Sequence, residues 1–236
     1  MRQYLPILLL CLCACEDDYH YPSVQLEYVT VASNEQGAAQ TIIPDKGGSL
    51  DVSFDKTGST LTPSSYTRVL SYYEVPSSDT STAIIYTMQS LLTPTPVALE
   101  DFTVNNEFRC DPIEVFTIWL GRDYLNMRLT MDTADKSLTH VFAVCIIDES
   151  YDTDTSGETI KSVTLSLYHD ADGDTGVYSR TAYMSIPLYT LLDLDNPDQP
   201  INVGFVYSNE DGTQYTYSTN GFTYTPSDYA LLYYYN

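Results

Sequence analysis

Basic charge is scarce in this chain. Its 236 residues carry 10 Lys and Arg against 32 Asp and Glu, a formal net charge of −22. Phosphate backbones are held by Lys and Arg that displace counterions, so this balance argues against nucleic acid as a partner. There are only three histidines and one tryptophan. The sequence has no HExxH helix, paired CxxC, G-x-S-x-G elbow, P-loop or Rossmann fingerprint. Carboxylates are so common that no glycosidase-like pair stands out. The expectation is a protein that is not an enzyme and needs no cofactor. No apolar run reaches the ~20 residues that a membrane-spanning helix requires. With 11 Gly and 12 Pro the chain is neither collagen-like nor of low complexity, and 43% hydrophobic residues suffice for a buried core.

What is present begins with a processing signal. Arg2 supplies a short positive region and Leu5 to Leu12 a short apolar one, the layout of a signal peptide over residues 1–14. The run ends in Leu12-Cys13-Ala14-Cys15, which resembles a bacterial lipobox. Cleavage needs a small residue before the acylated cysteine. Cys11 follows Leu10 and Cys13 follows Leu12, whereas Cys15 follows Ala14, so Cys15 is the expected lipidation site. Two or three acyl chains anchor stably, since each buried CH₂ contributes about 0.8 kcal/mol. Residues 15–22 read as an acidic tether. Its Glu16-Asp17-Asp18 resembles the surface-export signal of Bacteroidota lipoproteins, so the expected location is the outer membrane, exposed at the cell surface. Of the remaining cysteines, Cys110 and Cys145 are a possible disulfide in an oxidising compartment, or buried free thiols.

Beyond the tether the apolar runs are short and β-rich. Val24 to Val31 alternates with the period of two that a half-buried strand requires. Ala39 to Ile43, Ser49 to Phe54, Tyr66 to Val75 and Ala83 to Leu92 follow, separated by Gly-, Ser- and Asp-rich turns. Five strands in this space predict a small OB-like barrel over residues 23–96. Thr93-Pro94-Thr95-Pro96 interrupts, because proline cannot donate to a ladder. Residues 97–236 then offer seven further strands: Ile113 to Leu120, Tyr124 to Met131, Leu138 to Ile147, Ile160 to Tyr168, Val177 to Leu188, Ile201 to Ser208 and Thr213 to Ser218. That count predicts a β-sandwich. Asn209-Glu210-Asp211-Gly212 is the strongest hairpin signal. The fold class is all-β, a barrel followed by a sandwich.

Asp111-Pro112-Ile113, Trp119 and Tyr124-Leu125-Asn126 resemble the C-terminal sandwich of NigD-like lipoproteins. So do His140-Val141-Phe142, Leu165 to His169 and Ser185-Ile186-Pro187-Leu188. Thr60 to Pro63 with Arg68 to Tyr73 resembles that family's N-terminal OB-type domain. The resemblance implies a bacteriocin-immunity role with a protein partner.

Other features leave alternatives open. His140 and His169 lie at strand ends, where a lone histidine is usually a packed or capping residue rather than a ligand. Asp170, Asp172 and Asp174 resemble a calcium loop, yet Thr175 and Thr181 stand where the EF-hand needs Gly and Glu. Asp152 to Gly157 places its glycine correctly but has Val163 at the last ligand position. Both read better as acidic hairpin loops, so no metal is expected. In the barrel, Lys46, Lys56 and Arg68 face seven carboxylates, which favours protein or glycan over nucleic acid. Tyr215, Tyr217, Phe222, Tyr224, Tyr229 and Tyr233 to Tyr235 crowd the C-terminus. Tyrosines form good strands and also good recognition surfaces. They suggest a surface glycan-binding accessory protein as an alternative, and the two-domain β layout without a site suggests a structural envelope component.

Overall fold

The computed structural model describes residues 23–102, 109–134, 140–153, 157, 159–174, 176–208 and 214–235, with side chains described except over 214–220. Cys15, the tether and the turn at 209–212 lie outside these residues. The strands are β1 (Val24–Ser33), β2 (Ala39–Pro44), β3 (Leu50–Asp55), β4 (Tyr66–Glu74), β5 (Thr82–Ser90), β6 (Val97–Ala98), β7 (Glu114–Leu120), β8 (Tyr124–Thr133), β9 (Val141–Thr153), β10 (Thr159–Asp170), β11 (Tyr178–Pro187), β12 (Ile201–Ser208) and β13 (Gln214–Tyr224). One helical turn, α1 (Ala230–Tyr234), follows them.

Strands β1 to β5 close into a barrel of order β1-β2-β3-β5-β4. All its pairings are antiparallel except β3 with β5. This is the OB-type barrel. Closure leaves no sheet edge for another chain to template on. Period-two alternation sorts its residues. Val29, Val31, Val69 and Tyr73 turn inward with Ile42, Ala83 and Ile85 to form a closed core. The intervening residues Tyr28, Thr30 and Arg68 point outward, yet they too are buried. Around Thr30, Arg68 and Tyr28 both faces of β1 and β4 are therefore covered, the inner by the barrel core and the outer by the second domain, whereas Leu26 and Tyr72 further along the outer face are exposed.

The second domain is a sandwich. One sheet has the order β13-β12-β10-β9-β6, with β10 and β12 parallel; the other is β11-β8-β7, fully antiparallel. Leu125, Met127 and Leu129 of β8, with Met184 and Ile186 of β11, meet Leu165, Leu167, Val203 and Phe205 across the layer. The other face of the three-stranded sheet carries Trp119, Asn126 and Ser185 in one cross-strand row and Thr117, Arg128 and Tyr183 in the next. That face lies against the barrel, so three layers stack with β11-β8-β7 in the middle. The chain between the domains runs along β11: Leu92 donates to the Tyr183 carbonyl and accepts from the Ser185 amide. β12 and β13 pair antiparallel on either side of the turn expected at 209–212. The last tyrosines depart from a strand reading. Tyr233 is buried within α1, and Tyr235 just beyond it is exposed.

Gly37 shows how tightly the β1–β2 connection is drawn. The Asn34 side chain accepts from the amides of Gln36 and Ala38, which winds the turn and leaves Gly37 at φ +79. Its carbonyl accepts from Leu61, and a Cβ there would sit 2.4 Å from the Leu61 oxygen. Gly37→Ala is expected to destabilise the protein by about 1–3 kcal/mol through strain and clash, read as a lower urea midpoint with an unchanged m-value.

Candidate functional site

Five residues distant in sequence meet where barrel and sandwich touch. Arg68 lies on the outer face of β4, beside Thr30 in register. Its guanidinium donates to Asp45 Oδ1 at 2.6 Å, Asn126 Oδ1 at 3.2 Å, Ser185 Oγ at 3.0 Å and Thr30 Oγ1 at 3.4 Å. Asn126 returns its amide to Asp45 Oδ2 at 2.8 Å and accepts from the Ser185 hydroxyl at 2.5 Å. The result is a closed ring of barrel and sandwich groups around one buried cation, capped by the Tyr124 ring 4.2 Å from the Arg68 carbon. Gly121 packs so close that a Cβ would fall 2.4 Å from both Asn126 and Asp45, so no larger residue fits at that position. Burying an unpaired arginine would cost several kcal/mol, and the ring removes that cost by satisfying both oxygens of Asp45.

Supporting contacts surround the ring. Arg122, in the β7–β8 turn, donates to the carbonyls of Pro44 at 2.9 Å and of Gly47. Asp123 is fully buried and accepts from the Tyr224 hydroxyl at 3.0 Å, the Ser227 amide at 2.9 Å and the Ser227 hydroxyl. Ile43, Tyr124 and Tyr233 form the apolar part of the seam, with Tyr66, Tyr189 and Tyr229 against them. Burial, then the neighbouring Asp123 carboxylate, pushes the Tyr224 hydroxyl far above its ordinary range, so it stays a neutral donor. On the far side the Tyr28 hydroxyl donates to the Met127 carbonyl at 3.0 Å, and its ring lies 5.0 Å from that of Trp119.

Beyond Tyr28 the two domains diverge and leave a groove of about 670 Å³. Leu26, Tyr28 and Leu70 line the barrel side; Trp119, Leu120 and Tyr183 line the sandwich side, with Arg128 among them. The Arg128 guanidinium carbon lies 4.4 Å from the centre of the Phe116 ring. This groove at the domain junction is lined largely by apolar and aromatic side chains.

The residues picked out by sequence fall elsewhere. His140 and His169 do meet: His140 Nδ1 and His169 Nε2 are 2.8 Å apart, and His169 Nδ1 lies 3.0 Å from the Asp111 carbonyl. That carbonyl can only accept, so His169 carries its proton on Nδ1, and Nε2 accepts from His140. Burial lowers the His169 pKa, opposed by the Asp111 carbonyl and reinforced by His140. Asp174 faces His140 Nε2 at 3.4 Å and accepts from Thr133 and the Ala134 amide, both at 2.8 Å. Burial pushes its carboxyl up, but these donors outweigh that and hold it below the usual carboxylate range. Asp170 accepts instead from the Asp172 amide and Arg109. Asp170 and Asp174 thus serve separate partners, Asp172 contributes its backbone amide to Asp170, and among the described residues no three His, Cys, Asp or Glu side chains converge on a metal site. Cys110 and Cys145 are not joined; each is a free thiol. Cys110 lies beside His169 at the end of β10, whereas Cys145 sits in β9 opposite Ser166, and burial raises the Cys145 pKa to about 11. Asp152 lies within β9, and the rest of that candidate loop is largely outside the described residues.

The ring and the groove were not anticipated from sequence. The available signal was Arg68 itself, a lone cation inside the apolar run from Tyr66 to Val75.

An OB-type barrel locked by a buried ion pair onto the outer face of a β-sandwich defines a two-domain all-β protein with a groove at the join. Residues 95–219 match the model of the NigD-like C-terminal beta sandwich domain. The chain belongs to the NigD-like family. Among solved structures it is similar to a NigD-like immunity protein from Bacteroides caccae ATCC 43185. Identity is 41%, the match covers 88% of this chain and 100% of that one, and the TM-score is 0.70. Two more distant structures share the fold. One, from Parabacteroides distasonis ATCC 8503, is described as a candidate toxin-related protein; it is 17% identical over 89% of this chain and 96% of that one, with TM-score 0.67. The other is a candidate lipoprotein from Bacteroides fragilis NCTC 9343, 10% identical over 86% of this chain and 98% of that one, with TM-score 0.57. No curated protein matches the chain.

Arg68→Ala leaves Asp45 half-buried without its cation and is expected to destabilise the protein by about 3–5 kcal/mol in urea unfolding. The joint replacement Arg68→Met with Asp45→Leu removes both charges and is expected to cost less than Arg68→Ala alone. The histidine pair adds a pH dependence. His169 has a lowered pKa in the fold, so the unfolded chain binds its proton more tightly. Its stabilising contribution is full above the unfolded value of about 6.5 and falls as pH drops below it towards the folded value. Wild-type stability is expected to decline from about pH 7 to 5, and His169→Gln to flatten that slope in denaturation curves taken at each pH.

Proposed function

We propose that this protein is a lipid-anchored, non-enzymatic envelope protein of immunity type, which acts by binding a protein rather than by chemistry. The observation that carries the reading is the 41% identity, across 88% of this chain, to a NigD-like immunity protein. Two features of the chain support it. Arg68, Asp45, Asn126 and Ser185 engage one another in the ring, and among the described residues none of these four is paired as a nucleophile with a base. The groove beside the ring combines tryptophan, tyrosine and arginine, the side chains that dominate binding energy at protein interfaces. The anchor is Cys15, placed after Ala14 at the end of a signal peptide over residues 1–14. Lipidation would fix the domains at the outer membrane, where the acidic tether Glu16-Asp17-Asp18 favours the outer face.

Deleting the gene is expected to sensitise cells to the antibacterial protein encoded at the same locus, and the wild-type gene to restore survival. Cys15→Ala is expected to abolish labelled palmitate incorporation, to release the protein into the soluble fraction and to give weaker protection. Unchanged survival on deletion refutes the immunity role, and palmitate labelling of Cys15→Ala refutes the anchor.

A further inference from the structure

The geometry points to the groove between barrel and sandwich as the docking site for a polypeptide segment that presents an apolar side chain flanked by carboxylates. This rests on the reading that the protein recognises another protein, and it adds where contact is made and by what chemistry.

The first argument is continuity with a buried interface. On the outer face of β1 and β4 the cross-strand pairs run Thr30 with Arg68, Tyr28 with Leu70, then Leu26 with Tyr72. The sandwich covers Thr30, Arg68 and Tyr28, and its cover ends there. Leu26 is 58% exposed, and Trp119, facing it across the groove, is 38% exposed. The same apolar stripe that packs the domains together thus runs on into solvent, with Leu120 at its edge. Isolated exposed apolar residues are ordinary, but a contiguous concave set beside a packed seam marks an interaction surface.

The second argument is charge. Two carboxylates line the groove, and both are engaged: Glu27 accepts from the Tyr73 hydroxyl at 2.9 Å, and Asp45 belongs to the Arg68 ring. Its two unburied cations, Lys46 and Arg128, make no ion pair among the described residues. Arg128 sits over the Phe116 ring and has no hydrogen-bond acceptor or ion-pair partner among the described residues, so its guanidinium can take a carboxylate. In a chain of net charge −22, the unmet charge at this groove is positive. Leu26, Leu70 and Leu120 offer nothing to sugar hydroxyls, and the engaged carboxylates leave few acceptors, so the lining suits an aliphatic or aromatic side chain better than a sugar ring.

Trp119 is the only tryptophan in the chain, so its fluorescence reports on the groove alone. The full chain is titrated with an acetylated, amidated tetrapeptide Glu-Leu-Phe-Glu and with its counterpart bearing lysines for the glutamates; sodium glucuronate and laurate serve as sugar-acid and lipid probes. A saturable change with the acidic peptide is expected, about tenfold weaker with the basic one. Leu26→Asp and Arg128→Glu, both at exposed positions, are expected to abolish the response without moving the thermal midpoint; Arg128→Gln is expected to weaken it. Equal response to the two peptides, a response unchanged in the variants, or saturation by glucuronate or laurate in place of the peptide would overturn the docking site. The survival assay separates this from the broader reading. If Leu26→Asp with Arg128→Glu still protects cells, the docking site fails and the immunity role stands. If wild type gives no protection yet binds the acidic peptide, the immunity role fails and the docking site stands.

Discussion

The fold depends on one buried cation. Arg68 sits on a strand face that a lone barrel would expose to water, where its charge would be fully solvated. Docking the sandwich strips that water away. The desolvation is tolerable only because Asp45, Asn126, Ser185 and Thr30 all present oxygens within hydrogen-bond reach of the guanidinium. Two of those groups come from the other domain. The ring therefore reports on register: a slip of one residue in β8 or β11 would turn Asn126 or Ser185 away and leave the arginine buried beside a single carboxylate. Hydrophobic contact along the seam supplies most of the attraction, and the ring selects one geometry from the many that contact alone would allow.

That selection explains why the middle sheet is polar on one face. In a two-layer sandwich, β11-β8-β7 would bury one face and solvate the other. Here part of the second face buries Tyr124, Asn126 and Ser185 because it is an interface, while Trp119 and Arg128 beyond them reach solvent. Asn126 and Ser185 are as inaccessible as Leu125 and Ile186, their neighbours in sequence that point into the sandwich core. The β7–β8 turn serves the same end. Gly121 allows the close approach, Arg122 reaches the backbone around the β2–β3 loop, and Asp123 ties the C-terminal segment down through Tyr224 and Ser227.

The strands were legible because period-two alternation is a local property. Val24 to Val31 shows it plainly, and a closed five-stranded barrel follows from strand count and turn chemistry. The seam was not legible, because alternation shows only that a strand has two faces. It does not show that a second domain covers the outer one. Arg68 reads as one more charge, and its partners lie 23, 58 and 117 residues away. The histidines illustrate the same limit: each was placed at a strand end, but their hydrogen bond spans 29 residues of sequence. The tyrosine-rich end mixes roles that composition cannot separate, since Tyr224 serves a buried carboxylate, Tyr233 packs the seam and Tyr235 faces water. Several residues that carry the family resemblance, among them Arg68, Trp119, Tyr124, Asn126 and Ser185, prove to be those that form the seam and its groove.

Rigidity at the ring also bears on recognition. A groove between two domains has a fixed shape only if the domains cannot rock, and binding loses less free energy when side chains are already held in place. Trp119 is two residues from Gly121 and lies in the cross-strand row of Asn126, so the groove's aromatic wall hangs from the same strand pair that closes the ring. Tyr28, which lines the groove, reaches from the barrel to the Met127 carbonyl of the sandwich. Loosening Arg68 would therefore do more than lower stability. It would let the two walls of the groove move independently, and a partner shaped to both would lose the pre-formed surface on which its affinity depends.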